Sequence, residues 1–394
     1  MNKKNKTVIP KLRLCQFKDK PEWDICKFGR LIVPVEERAG SNKYTLMSVT
    51  SGVGLVSQVE KFGREIAGSA YKNYYVIKKN DFAYNKSATK LFPEGYISML
   101  TEYEEAALPN SIFTCFRIVD KECDPRFFDQ LFHNNYHGTW LRKYIEVGAR
   151  SHGSLSVDTK HLWNMPVALP KLEEQQKIAD CLSSLDDLIA AEDKKLSALK
   201  DHKKGLMQKL FPSEGKTVPE WRFPEFKDCG KWESRSLSMI CDMQAGKFVQ
   251  ATQIFEKQKC NMYPCYGGNG LRGYTYSFTH SGEYSLIGRQ GALCGNVTHS
   301  TGDFHATEHA VVATEKHNVC AKWLYFLLIK MNLNQYATGQ AQPGLSVQAL
   351  EKIGTYVPKL IAEQQKIADC LTSVDELITS QTEKIEALKE HKKA

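Results

Sequence analysis

Glu174-Gln-Gln-Lys-Ile-Ala-Asp-Cys-Leu182 recurs without a gap as Glu363-Gln-Gln-Lys-Ile-Ala-Asp-Cys-Leu371. The likeness runs from Glu174 to Lys204 and from Glu363 to Lys393 at an offset of 189, with 20 of 31 positions identical. Repetition at a fixed offset marks a duplicated structural unit. Within it the apolar residues alternate at spacings of four and three: Ile178, Leu182, Leu185, Ile189, Leu196, Leu199, Leu206 and Leu210, then Ile367, Leu371, Val374, Ile378, Ile385 and Leu388. This is a heptad seam, interrupted by Glu192 and Lys203 in one copy and by Gln381 and Lys392 at the same places in the other. Polar seam residues of this kind fix register at some cost in stability. Pro170 and Pro358 precede the two helices, Glu173, Glu174 and Glu363 sit in their first turns, and Phe211-Pro212 closes the first copy. A helix from Glu173 to Leu210 would run about 57 Å. A helix of that length with one apolar seam needs a partner, and antiparallel packing of the two copies is expected, with the intervening bodies at opposite ends. The first copy continues through Gly205 to Phe211 whereas the second stops at Ala394, so Leu206 and Leu210 have no second-copy counterpart.

A second echo precedes each body. Pro10, Arg13, Phe17, Lys18, Asp19 and Trp23 match Pro219, Arg222, Phe226, Lys227, Asp228 and Trp232 at an offset of 209, and Leu155-Ser156-Val157 matches Leu345-Ser346-Val347 ahead of each helix. The order leader, variable body, Leu-Ser-Val, helix therefore occurs twice. The bodies read as mixed β with a few helices. Tyr74 to Ile77 and Ser285 to Ile287 have strand composition, while Pro125 to Leu141 and Ala321 to Lys330 look helical. The expected fold class is α+β: two mixed α/β domains at 1–167 and 213–356, separated by two long antiparallel coiled-coil helices at 168–212 and 357–394, the second shortened, as an internal pseudo-two-fold repeat.

The 394 residues and 42% hydrophobic content suit two or three packed domains. No apolar run reaches about 18 residues and Met1 to Lys6 does not resemble a secretory leader, which predicts a cytoplasmic chain with no membrane partner. Twelve cysteines at irregular spacings, with no C-x-x-C, read as reduced thiols. Cys260, Cys265, Cys294, His305 and His309 lie near one another in sequence but match no familiar zinc spacing, so no metal site is expected.

Gly268-Asn-Gly-Leu-Arg-Gly273 satisfies G-x-G-x-x-G, yet Tyr-Thr-Tyr-Ser-Phe follows where a dinucleotide site requires a helix, and a turn-rich loop is the better reading. No phosphate loop, H-E-x-x-H, G-x-S-x-G or amino-methylating segment is present. His133/His137 and His305/His309 read as surface or satisfied polar pairs, and the chain looks non-catalytic by itself. A charge of +8 is modest, but basic residues interleave with aromatics and glycines in Lys61-Phe-Gly-Arg64, Tyr84-Asn-Lys-Ser87 and Gly270-Leu-Arg-Gly-Tyr274, which suits loops that touch phosphates and base edges. Arginine can hold guanine through two hydrogen bonds, and asparagine or glutamine can hold adenine likewise. The candidates for base reading are Arg64, Lys86 and Lys90 in the first body and Arg272, Arg289 and Gln290 in the second, with Lys72 and Lys247 as phosphate contacts.

The arrangement resembles the specificity subunits of type I restriction-modification systems across essentially the whole chain. The likeness rests on Pro170-Lys-Leu-Glu-Glu-Gln-Gln-Lys-Ile-Ala179, Pro358-Lys-Leu-Ile-Ala-Glu-Gln-Gln-Lys-Ile-Ala368, Phe223-Pro-Glu-Phe-Lys-Asp228 with Trp232, Ile287-Gly-Arg-Gln-Gly-Ala292 with Cys294-Gly295, and Thr338-Gly-Gln-Ala-Gln-Pro-Gly-Leu-Ser346. The resemblance implies two target-recognition domains, each reading one half of a bipartite, asymmetric site in double-stranded DNA, with the helices setting the gap. It also implies two methylation subunits docked on the helices and bodies, and restriction subunits in the full complex. S-adenosylmethionine, ATP and Mg would belong to those partners and none to this chain. A self-sufficient DNA-modifying enzyme and a coiled-coil scaffold for proteins are the competing readings; the first predicts methylation or cleavage by the chain alone, the second no salt-dependent DNA affinity.

Overall fold

A computed structural model describes residues 6–67, 69–145, 155, 157–291, 293–339 and 343–393. Ser156, Ala292 and the Gln340-Ala-Gln342 part of the family-like segment lie outside the described residues. The chain divides into two compact units, Met1–Ala190 with Leu388–Ala394, and Ala191–Ala387. Four helices organise them: α1 (Pro125–His133), α2 (Leu172–Leu210), α3 (Ala321–Lys330) and α4 (Ile361–Lys393).

The first body is built on a four-stranded antiparallel sheet in the order Ile32–Pro34, Phe113–Ile118, Phe82–Asn85, Tyr96–Met99. Phe28, Phe82, Phe116, Phe128 and Phe132 interlock at its centre, with ring centroids 5.3–6.1 Å apart, and Ala179 of α2 joins that core. The second body carries a six-stranded sheet in the order Cys241–Ala245, Ala310–Glu315, His280–Gly288, Val297–Ala306, Tyr263–Gly267, Gly270–Thr275. Its neighbours run antiparallel except Tyr263–Gly267 beside Val297–Ala306. Phe211, Trp232 and Trp323 stack in its core against Met207 and Leu210 of α2 and Ile367, Ala368 and Leu371 of α4.

The expected helix from Pro125 to Leu141 is two helices, α1 and a short Tyr136–Leu141, because Asn135 turns left-handed at φ 55° and breaks the ladder. Ala321–Lys330 is helical as read. Gly268 and Asn269 form the two-residue turn of a β-hairpin, so the G-x-G-x-x-G segment leads into a strand and not a helix.

The repeated Glu-Gln pair explains why the leaders repeat. Arg13 donates to Glu174 from Nε (2.8 Å) and Nη2 (2.7 Å), and the Trp23 indole donates to the same carboxylate at 3.2 Å. Arg222 grips Glu363 with two bonds of 2.7 Å, joined by Trp232 at 3.1 Å. Gln175 and Gln364 then bind backbone. Gln175 accepts the Asp124 N–H and donates to the Glu122 and Pro170 carbonyls, while Gln364 accepts the Cys320 N–H and donates to the Asn318 and Pro358 carbonyls. Each body is also closed by a strand pair at its ends, Trp23–Lys27 with Pro166–Leu169 and Glu233–Ser236 with Gly354–Val357. Glu174 and Glu363 are thus buried anchors for a body and not merely complements to the helix dipole, whereas Glu173 is exposed.

The long helices pair antiparallel. In the second unit the Gln381 amide donates to the Glu192 carbonyl oxygen (3.1 Å) and carboxylate (2.6 Å), and Lys384 also binds that carboxylate. Further along α2, Lys203 meets Asp375, earlier on α4, at 2.5 Å and lies over the Phe326 ring. In the first unit Lys392 binds Asp186 at 2.6 Å, and Gln130 of α1 reaches the same carboxylate. Glu192 and Gln381 are repeat equivalents (381 − 192 = 189), and so are the two lysine–aspartate bonds (392 − 203 = 189, 375 − 186 = 189). The four seam interruptions therefore take repeat-equivalent partners, which ties register to the duplication itself. The Lys384 bond, then the Gln381 amide, hold the Glu192 carboxyl below the usual carboxylate range. None of Ile178, Leu182, Leu185, Ile189, Leu196, Leu199, Leu206, Ile367, Leu371, Val374, Ile378, Ile385 or Leu388 is exposed.

Candidate nucleic-acid interface

In the second body three separate segments converge on one open cleft of about 520 Å³, lined by Gly267 to Arg272, Gln290, Gly291 and His309. Its floor is backbone packed on backbone. Gly288 cannot be replaced, since a Cβ there would stand 2.0 Å from the Gly268 carbonyl oxygen. The His309 carbonyl accepts the Arg289 N–H (2.9 Å), Arg289 in turn accepts the Leu345 N–H (2.9 Å), and Gly291 donates to Pro343 at 3.0 Å. The Arg289-Gln-Gly291 strip is thereby fixed while Gln290 and Arg272 remain exposed. Arg272, Gln290, Asn269 and His309 together offer donors and acceptors of the kinds that read base edges in a major groove. Sequence reading named the first two; Asn269 and His309 join only because the sheet brings the turns together. Arg289 is half-buried beside the cleft, and exposed Lys247 runs alongside, its N–H bonded to the Ala306 carbonyl at 2.8 Å.

The first-body candidates stand on three segments. Arg64 is exposed just after a short helix, Gln58–Phe62, which is closed by Ser57 and Glu60 as a capping box and by left-handed Gly63. Lys72 is exposed in the Ser69–Asn73 turn, its carbonyl accepting the Gly40 N–H. Lys86 precedes, and Lys90 lies within, a tight turn in which Thr89 and Phe92 bond reciprocally, with Phe92 packed edge-on to Tyr96 at 5.0 Å. Lys90 is exposed, whereas Lys86 is half-buried and donates to the Thr159 hydroxyl at 3.4 Å. Burial holds its ammonium below the ordinary lysine range, opposed by Asp158.

The His133 and His137 pair sits within the first body's packing, while His305 and His309 divide, His305 bonding Ser277 and the Lys247 carbonyl and His309 lining the cleft. His133 binds Asp129, while His137 is buried between Tyr84 and Phe132 and pushed down to about 4 by burial. Among the described residues no three His, Cys, Asp or Glu side chains gather as a metal site, and no helix is long and apolar enough to cross a membrane.

Two differently built bodies, each locked by the same four side chains to a copy of one helix, define a duplicated recognition frame. The family model for the type I restriction modification DNA specificity domain matches residues 25–201 and 230–390, and the chain belongs to this family. It is 35% identical over 309 residues to the type I restriction enzyme EcoprrI specificity subunit of Escherichia coli, covering 75% of this chain and 74% of that one. It is 26% identical over 279 residues, 64% of each chain, to the MjaVIII specificity subunit of Methanocaldococcus jannaschii. Among solved structures, the S subunit of the type I restriction-modification system from M. genitalium superposes with a TM-score of 0.64 at 15% identity, covering 98% of this chain and 97% of that one. A chain from a study of complex assembly and conformational transition in the type I system gives 0.55 at 17%, covering 95% and 96%. The chain is a type I restriction-modification specificity subunit with DNA-recognition domains.

Proposed function

We propose that each body reads one half of a bipartite, asymmetric site in double-stranded DNA, that the paired helices set the gap, and that two methylation subunits dock on the frame. The functional modules are 1–167 and 213–356 for reading, 168–212 and 357–394 for spacing. The observation that carries this is the contrast between frame and body. One lock, Arg-Trp on Glu-Gln, holds a four-stranded body at one helix and a six-stranded body at the other, so what is read differs while how it is held does not.

Docking twice by one kind of partner has its own support. Lys177, Cys181, Ser184 and Leu188 follow one another at helical spacing on α2, and Lys366, Cys370, Ser373 and Leu377 repeat them on α4. Leu188 and Leu377 are 42% and 56% exposed and lie outside the seam, where packing does not demand leucine. Of the six paired seam positions, where packing does govern the choice, four are retained and two have drifted, Leu185 to Val374 and Leu196 to Ile385. A stripe kept in duplicate, exposed at every position except the half-buried Cys370, suits one partner surface bound twice. On this reading catalysis is carried by the partners, with S-adenosylmethionine in the methylation subunits and ATP and Mg in the restriction subunits.

In the cleft, Arg272 and Gln290, with Asn269, His309 and Arg289, are the reading groups, and Lys247 holds a phosphate. Arg64, Lys86 and Lys90 serve the first body, with Lys72 on a phosphate. The test is a chimera in which Lys20 to Met165 is exchanged for the matching segment of a subunit of different specificity. One half of the methylated motif should change and the other persist; a change in both halves would refute modular reading.

A further inference from the structure

Phe248 is 72% exposed, and among the described residues neither a ring nor a cation packs on it. A large apolar side chain displayed alone is ordinary when its backbone is loose, but this one stands on a segment fastened on both sides. Gly246 donates to the Ala310 carbonyl (2.9 Å) and Lys247 to the Ala306 carbonyl (2.8 Å), while Val249 is buried. The approach at Gly246 is so close that a Cβ would stand 2.3 Å from the Ala306 oxygen. His305 bonds the Lys247 carbonyl through Nε2 at 3.2 Å and the Ser277 hydroxyl through Nδ1.

Basic groups gather at this segment, while Glu308 on the anchoring turn is paired with His309 at 3.3 Å. Burial first, then the charges of Lys247 and His305, hold His280 below its ordinary range, which places three cationic or protonatable groups around this segment. The turn from Ala306 to Ala310 that anchors Gly246 also carries His309 of the reading cleft. A rigidly mounted ring next to a lysine, on a segment bonded to the turn that carries His309 of the cleft, has the attributes of a side chain that stacks on or wedges between bases: an apolar face, little conformational entropy to lose, and an adjacent phosphate anchor.

We infer that Phe248 stacks against an opened base step of the second half-site, bending the duplex so that the cleft can reach its base edges. This rests on the reading of the second-body cleft as a DNA surface, and the test separates the two. The chain is assembled with its methylation subunits and bound to a duplex carrying its mapped motif, with 2-aminopurine placed in turn at positions of either half-site.

Binding should raise the probe's fluorescence at a step of the second half-site. Phe248→Ala should abolish that rise and weaken binding about 5- to 100-fold. The first-half probes and the salt dependence should not change, because the ring releases no counterion. Phe248→Trp should retain both signals, and at this exposure neither variant should lower the melting temperature. If Phe248→Ala binds as tightly as the parent while Arg272→Ala and Gln290→Ala weaken binding, the stacking role falls and the cleft stands. If none of the three matters, the cleft reading falls as well. If Phe248→Ala impairs subunit assembly while assembled complexes keep their DNA affinity, the ring is a protein contact and the inference is overturned.

Discussion

Arg222→Met tests why the leader was duplicated with the helix. Glu363 is 1% exposed, and its carboxylate is held by two Arg222 bonds and one from Trp232. Methionine keeps the volume and removes both guanidinium bonds, together with the Nη1 bond to the Gly230 carbonyl. A buried carboxylate deprived of its cation costs about 3 kcal/mol or more. The second unit spans Ala191–Ala387, 197 residues (387 − 191 + 1), a size at which each kcal/mol moves a melting temperature by about 2–4 °C, so the expected fall is about 6–12 °C. Scanning calorimetry should place it in one transition, with the first unit, held by Arg13 and Glu174, unmoved. Adding Glu363→Gln should recover most of the loss, because a neutral amide no longer needs the cation while still accepting from Trp232. A fall below about 2 °C, or a double variant no better than the single, would refute the lock and leave Arg222 as surface decoration.

Other expectations follow from named groups. His137 sits at about 4 in the fold against an ordinary 6.5, so the stability it confers is present above about 6.5 and is lost as pH falls toward 4, amounting to roughly 3 kcal/mol across that window. His137→Leu should flatten the acid limb of the first unit's unfolding curve by that amount, and an unchanged slope would contradict the burial argument. Replacing Glu192 and Gln381 together with leucine should raise the melting temperature while relaxing register, read by cysteine crosslinks forming between helix positions beyond the native pairs; crosslinks confined to native pairs would show that register is set elsewhere. Arg289→Ala should weaken recognition at the second half-site while the identity of the first persists, and equal loss at both would make Arg289 structural.

The helices were legible because a heptad seam is local: Ile178 to Leu210 and Ile367 to Leu388 announce it without reference to anything else. The leader echoes were legible as pattern only. Arg13 and Glu174 lie 161 positions apart, and nothing in either neighbourhood says that one holds the other. Sheet topology was not legible for the same reason, since the order of the six strands depends on pairings such as Cys265 beside His305, which no local periodicity encodes. The break at Asn135 could have been suspected from the Asn-Asn pair, because asparagine tolerates the left-handed region. For the cleft, residue chemistry pointed to Arg272 and Gln290, but their meeting with Asn269 and His309 is a product of the fold. Phe248 carried no sequence signal, as an isolated phenylalanine reads as core until the burial of its neighbour Val249 turns it outward.

The central claim is that this chain directs modification to one split sequence. The most direct test is a map of methyladenine across the genome of a host carrying the cognate methylation subunit, with and without this chain. The chain should add methylation at a single asymmetric motif with an unspecified gap. Methylation unchanged by the chain, although it is folded and bound to its partner, would contradict it.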